Sequence, residues 1–151
     1  MSKRQPVVLV AEDDPDDRQL LRDAFSETGY TNDLRFVSDG EELLAYLLRQ
    51  ENSTDTPPPH IILLDFNLPR KDGREALAEI KQHPRLKKIP VIVLTTSSYE
   101  HDISLAYETG ANSYITKPVT FGQLCKIIES LSTYWLDIVD LSPLAEGDLC
   151  D

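Results

Sequence analysis

Ile61-Ile62-Leu63-Leu64-Asp65 is four aliphatic residues in unbroken succession, stopped by a carboxylate. A run that short, with no polar alternation, reads as a strand buried on both faces, the kind found in parallel sheets covered by helices. The same pattern recurs on either side. Val7-Val8-Leu9-Val10-Ala11 ends at Glu12-Asp13, Val91-Ile92-Val93-Leu94 ends at Thr95-Thr96, and Ser113 to Thr116 ends at Lys117. Leu34 to Val37 adds a less regular fifth run.

Amphipathic stretches fill the gaps. Asp16 to Thr28 carries Leu20, Leu21, Ala24 and Phe25 on one helical face and stops at Gly29. Glu41 to Gln50 carries Leu43, Leu44, Leu47 and Leu48, and further helices are expected over Arg74 to Gln82 and Glu100 to Glu108. A last helix starts near Thr120, with Phe121, Leu124, Ile128, Leu131 and Trp135 along one stripe. The polar and proline-rich stretch from Glu51 to Pro59 is a surface loop, because the alternation resumes beyond it. Five strands alternating with five helices give an α/β domain with a mostly parallel sheet and right-handed crossovers.

The chain of 151 residues fits one domain, and its 40% hydrophobic and 27% charged content is that of a globular protein. A net charge of −11 opposes binding to nucleic-acid phosphates, so direct DNA contact is not expected. Cys125 and Cys150 are too few for a disulfide framework and lack the spacing of a zinc site. No run is long enough for a signal peptide or a membrane span, which points to the cytoplasm.

In open parallel sheets, ligands bind beyond the carboxyl ends of the strands. Those ends carry Glu12, Asp13, Asp65, Thr95 and Lys117. Any one alone could be a solvated strand exit, and Asp16 and Asp17 read as acidic residues favoured by a helix N-terminus. The conjunction is harder to dismiss. Carboxylates about 4 Å apart repel by roughly 4 kcal/mol per pair at an effective dielectric near 20, so a cation belongs among them. Oxygen ligands suit Mg²⁺, a lysine supplies a point charge for a phosphoryl group, and a carboxylate can become an acyl phosphate.

Taken together these residues resemble the response-regulator receiver family of two-component signalling. The likeness rests on Glu12-Asp13, on Leu63-Leu64-Asp65-Phe66-Asn67-Leu68-Pro69 followed by Asp72-Gly73, on Thr95, on Tyr114, and on Thr116-Lys117-Pro118. It implies a flavodoxin-like doubly wound (βα)5 fold with strand order 2-1-3-4-5. It also implies a phosphoacceptor signalling protein, not a dedicated enzyme, modified on Asp65 by a sensor histidine kinase. Asp13, Asp65 and the Asn67 backbone carbonyl would hold Mg²⁺, with Glu12 acting through water. Lys117 would pair with the phosphoryl group, Thr95 and Tyr114 would act as the switch, and Lys117-Pro118 would be cis.

Asn67-Leu68-Pro69-Arg70-Lys71-Asp72-Gly73-Arg74-Glu75 and Tyr134-Trp135-Leu136 are further similar to regulators that serve phytochrome-type kinases. Rival readings fit less well. A haloacid-dehalogenase-type phosphatase would need an acid where Asn67 stands, and the glycines are too scattered for a phosphate loop. A receiver-like interaction module that never takes phosphate would not need the intact set Asp13, Asp65, Thr95 and Lys117.

His60 and His83 fall beside prolines and read as solvated loop residues, Cys125 as packing, Cys150 as exposed. Residues 1–132 are assigned to the receiver and 133–151 to a C-terminal extension. The apolar stripe continues there through Tyr134, Leu136, Ile138, Val139, Leu141 and Leu144, broken at Pro143. A contiguous apolar surface marks an interaction site, so a homodimer through the last helix and this extension is expected.

Overall fold

The aliphatic runs become strands that have no solvent face. In the computed structural model, which describes residues 6–29, 32–49 and 57–140, every residue of β1 (Val7–Ala11), β3 (Ile61–Leu64) and β4 (Val91–Thr95) is buried. β2 (Asp33–Val37) and β5 (Ser113–Thr116) flank them, half-buried for most of their length. All neighbours pair in parallel in the order β2-β1-β3-β4-β5. The doubly wound receiver topology implied by the sequence is therefore the one adopted.

Alternation along the central strands divides the interior in two. Leu9, Ala11, Ile62, Leu64, Val91 and Val93 face one side, which is covered by α2 (Gly40–Arg49), α3 (Gly73–Gln82) and α4 (Glu100–Thr109). Val8, Val10, Ile61, Leu63, Ile92 and Leu94 face the other, under α1 (Pro15–Thr28) and α5 (Phe121–Leu131). Two unequal layers result, and the strands are apolar on both faces for that reason.

The helix ends follow from local chemistry. The Asp14 side chain accepts from the Asp16 N–H at 2.8 Å, Pro15 opens α1, and Gly29 closes it at φ 77°, a left-handed conformation that glycine adopts freely. Asp72 and Glu75 form a reciprocal capping box on α3. The Thr120 hydroxyl accepts from the Gln123 N–H at the start of α5.

Several expectations need correction. His60 is buried: its Nδ1 accepts from the Val7 N–H at 2.9 Å, while its own N–H donates to the Val7 carbonyl at 2.8 Å. It prolongs the β1–β3 pairing beyond the strand itself. His83 caps a short 3-10 turn (Leu86–Lys88), Nδ1 accepting from the Arg85 and Leu86 N–H groups. No peptide bond among the described residues is cis, so Lys117–Pro118 is trans, the isomer favoured intrinsically by about 0.5–1 kcal/mol. Leu20, Leu48 and Phe121 share the apolar spacing of their helices yet stay exposed, at the margins of the buried stripes.

Past α5 the chain continues as a π-helical segment, Ser132–Ile138, whose Trp135 and Leu136 pack on the α1–α5 core. Tyr134 and Ile138 are exposed. Leu141, Pro143, Leu144 and Cys150 lie outside the described residues. Among the described residues no helix is long and apolar enough to cross a membrane.

Tyr46, buried on α2, donates its hydroxyl to the Pro57 carbonyl at 2.8 Å, and burial pushes its phenol up to about 12. A phenol that ionises later in the folded than in the unfolded chain adds stability that is complete below pH 10. That stability is lost as pH rises toward 12. Urea unfolding across this window should show wild type losing on the order of 2 kcal/mol more than Tyr46→Phe. Parallel alkaline limbs for the two proteins would contradict it.

Candidate functional site

The parallel sheet sends four consecutive strand ends into one crevice. From β1 comes Glu12, buried, its N–H donating to the Val37 carbonyl and its Oε2 accepting from the Asp14 N–H at 3.1 Å. From β3 comes Asp65, 7% exposed, whose N–H donates to the Ala11 carbonyl. Thr95 ends β4 fully buried, and Lys117 follows β5, its N–H donating to the Thr95 carbonyl at 2.7 Å.

The side chains converge on Asp65. Its Oδ1 accepts from the Thr95 hydroxyl at 2.8 Å and from the Asn67 N–H at 2.9 Å. Its Oδ2 accepts from Lys117 Nζ at 2.9 Å. The same ammonium donates to Glu12 Oε1 at 2.6 Å and to Asp17 Oδ2 at 3.0 Å. Glu12, Asp65, Thr95 and Lys117 thus form one connected cluster. Asp13 stands exposed at the rim.

Asp17 was read from sequence as a helix-end residue, and its place on Lys117 was missed. No local pattern sets Asp17 apart from Asp16, because the contact crosses from α1 to the residue that follows β5.

The electrostatics reflect this crowding. Burial pushes the Glu12 carboxyl above the usual range, and its hydrogen bond to Lys117 only partly opposes the shift. Burial alone would lower the Lys117 ammonium. Its hydrogen bond to Glu12 and the charge of Asp65 more than offset that and carry it above its ordinary value. Lys117 is therefore a fixed positive charge.

Lys117 is one ammonium facing three carboxylates, which leaves the cluster short of positive charge. Among the described residues no three acidic, histidine or cysteine side chains are grouped closely enough to cage an ion. A hard cation that keeps several waters and takes only one or two carboxylates is compatible with such an open donor set. The oxygen-only chemistry of Asp13, Asp65 and the Asn67 carbonyl fits it.

Two features surround the cluster. Tyr114 turns inward from β5, its hydroxyl donating to the Ser97 carbonyl at 2.7 Å and its ring edge-on to Phe66 at 5.8 Å. Beside Lys117 opens a cavity of about 90 Å³ lined by Asp17, Leu20, Pro118, Val119 and Phe121, with Val119 94% exposed.

Against this geometry stand the similarities to known proteins. Residues 8–129 match the response regulator receiver domain family. The response regulator Rcp1 of Synechocystis sp. is 42% identical over 135 residues, which is 89% of this chain and 92% of that protein. The crystal structure of the phosphorylated cyanobacterial phytochrome response regulator RcpA superposes with a TM-score of 0.85 at 40% identity, covering 91% of this chain and 99% of that one. The Mn²⁺-bound form of Rcp1 superposes with a TM-score of 0.82 at 42% identity, covering 91% and 99%.

The loop that carries Asp65 depends on one missing methyl group. A Cβ on Gly73 would lie 2.2 Å from the Asp65 carbonyl oxygen and 2.7 Å from the Phe66 Cα, both backbone atoms. Gly122, in α5, has nothing within 4 Å of the same position. Gly73→Ala should therefore cost about 1–3 kcal/mol in urea unfolding. Gly122→Ala should be neutral or stabilising by up to about 1 kcal/mol. Equal effects at the two sites would refute this account of the loop.

Proposed function

The chain belongs to the response regulator receiver domain family, and from that premise we propose that it is a cytoplasmic phosphoacceptor, modified on Asp65 by a sensor histidine kinase. The observation that carries this reading is the grip on Asp65: a hydroxyl and an amide on one oxygen, an ammonium on the other. Such a carboxylate is oriented and exposed to little water, as a nucleophile toward phosphorus must be.

In the transfer, an Asp65 oxygen bonds to phosphorus as the donor's P–N bond breaks, and the imidazole, already protonated on its other ring nitrogen, leaves neutral. Lys117 moves its ammonium from carboxylate to phosphoryl oxygen, and Thr95 donates its hydroxyl to another. Asp13, Asp65 and the Asn67 carbonyl would hold Mg²⁺, with Glu12 acting through water, and the ion would supply positive charge against the phosphoryl oxygens. The Mn²⁺-bound form of Rcp1 supports a divalent ion in such a site. Tyr114, already turned inward with its hydroxyl on the Ser97 carbonyl, is the second switch residue and holds the segment that follows Thr95.

The donor is of phytochrome type, which the likeness to RcpA supports. It docks over the apolar cavity beside Lys117, where Val119 and Phe121 stand exposed. Output runs through protein contacts, not DNA, in keeping with the net charge of −11. Residues 1–132 form the receiver. The extension over 133–151 and α5 form a homodimer interface, where Tyr134 and Ile138 are exposed beside an open groove lined by Ile115, Ile127 and Trp135.

Three measurements test this. With acetyl phosphate and Mg²⁺, intact mass should rise by one phosphoryl group in wild type and not in Asp65→Asn. Val119→Asp should keep that labelling while transfer from the kinase falls at least about tenfold, a loss of about 1.4 kcal/mol. Labelling that persists in Asp65→Asn would overturn the assignment. Light scattering at micromolar concentration should give about twice 17.1 kDa, and Ile138→Asp should return it toward 17.1 kDa. A wild-type monomer would overturn the dimer.

A further inference from the structure

α4 is held to the body of the protein by little apolar burial. Its buried residues are Ala106 and, unexpectedly, Asp102. Its N-cap residue Tyr99 makes no side-chain capping bond and is 77% exposed. What secures the first turn is a charge pair. Arg74 Nε donates to Asp102 Oδ1 at 3.1 Å and Arg74 Nη2 to Asp102 Oδ2 at 2.9 Å, a two-pronged contact of the strong kind. The Ser97 hydroxyl donates to the same Oδ2 at 2.6 Å. Held first by Arg74 and then by Ser97, the Asp102 carboxyl lies below the usual range and is ionised at neutral pH.

The two ends of this pair differ in kind. Arg74 opens α3 next to Gly73, which lies against the Asp65 carbonyl, and its Nη1 also donates to the Asp72 cap. Its guanidinium sits 4.8 Å from the centre of the fully buried Phe66 ring. That end is fixed to the Asp65 loop. The other end, Asp102 and Ser97, belongs to α4 and to the segment that joins it to β4. Ser97 is two residues beyond Thr95, and its carbonyl accepts the Tyr114 hydroxyl. Phe66 in turn touches the Tyr114 ring. The contacts close a circuit: Asp65 to Thr95, along the chain to Ser97, across to Tyr114 and Phe66, and back through Arg74 and Asp102.

An ion pair half-shielded from water, as this one is, contributes modestly to stability. One that joins a fixed loop to a loosely held helix can bias a two-state element. We infer that the Arg74–Asp102 pair is a positioning device for phosphoryl transfer. It holds the Ser97 carbonyl under the Tyr114 hydroxyl and keeps Thr95 seated on Asp65 before any phosphate arrives. The inference rests on the reading of Asp65 as phosphoacceptor. Arg74 and Asp102 touch no reacting atom; they act through Ser97, Thr95 and Tyr114.

The test uses the full chain carrying fluorotyrosine, with the Tyr114 resonance assigned by Tyr114→Phe, and BeF₃⁻ with Mg²⁺ as the phosphoryl probe. In free wild type the Tyr114 resonance should already lie near its BeF₃⁻-bound position. In Asp102→Asn, Arg74→Met and the milder Ser97→Ala it should move toward the solvent-exposed position and return when BeF₃⁻ binds. Affinity for BeF₃⁻ should fall about five- to tenfold in Asp102→Asn, with Mg²⁺ affinity within about twofold of wild type. In a Tyr114→Ala background the effect of Asp102→Asn should shrink to less than about twofold. An unmoved Tyr114 resonance with unchanged BeF₃⁻ affinity would overturn the inference, as would a loss that persists in full without Tyr114. Failure of wild type itself to bind BeF₃⁻ would instead sink the phosphoacceptor reading on which the inference stands.

Discussion

One ammonium among three carboxylates is the interaction around which the rest is arranged. Lys117 reaches Glu12 from β1, Asp17 from α1 and Asp65 from β3. Without it, Glu12, Asp17 and Asp65 would share one crevice with no positive charge between them. The fold supplies what the cluster needs. Parallel strands β1, β3, β4 and β5 all end at the same edge of the sheet, so charges far apart in sequence meet there. An antiparallel sheet of the same residues would send alternate strand ends to opposite edges.

The architecture was legible because it is written in local patterns. Runs such as Ile61 to Leu64 are too short and too uniformly apolar to be anything but buried strands, and the glycines and capping aspartates punctuate the helices between them. The strand-end residues were legible too, since a parallel sheet makes the residue after each strand a member of one site. Thr95 and Lys117 are read from the strand ends and meet on Asp65, whereas Tyr114 is named only from the family likeness and reaches the neighbouring Ser97 carbonyl.

What escaped the sequence depends on register and on side chains that cross between elements. Asp17 looked like any acidic residue at a helix start, and only the angle of α1 against β5 turns it onto Lys117. His60 looked like a loop residue because three prolines precede it, yet it pairs with Val7 at the start of the sheet. Arg74 and Asp102 are 28 positions apart and belong to different helices, and no periodicity links them. The trans Lys117–Pro118 bond could not be had from family likeness.

The division of the interior into two layers has a consequence for traffic through the molecule. Phe66 and Tyr114 belong with α2, α3 and α4, whereas Trp135 and the cavity beside Lys117 belong with α1 and α5. The strands between the two helix layers are packed with aliphatic side chains that do not rearrange singly. Such packing transmits strain between the two layers, and Asp65 stands at the edge of the sheet where both are within one hydrogen bond. A group seated on Asp65 would therefore bear on both layers at once, through Thr95 toward α4 and through Lys117 toward α1 and α5.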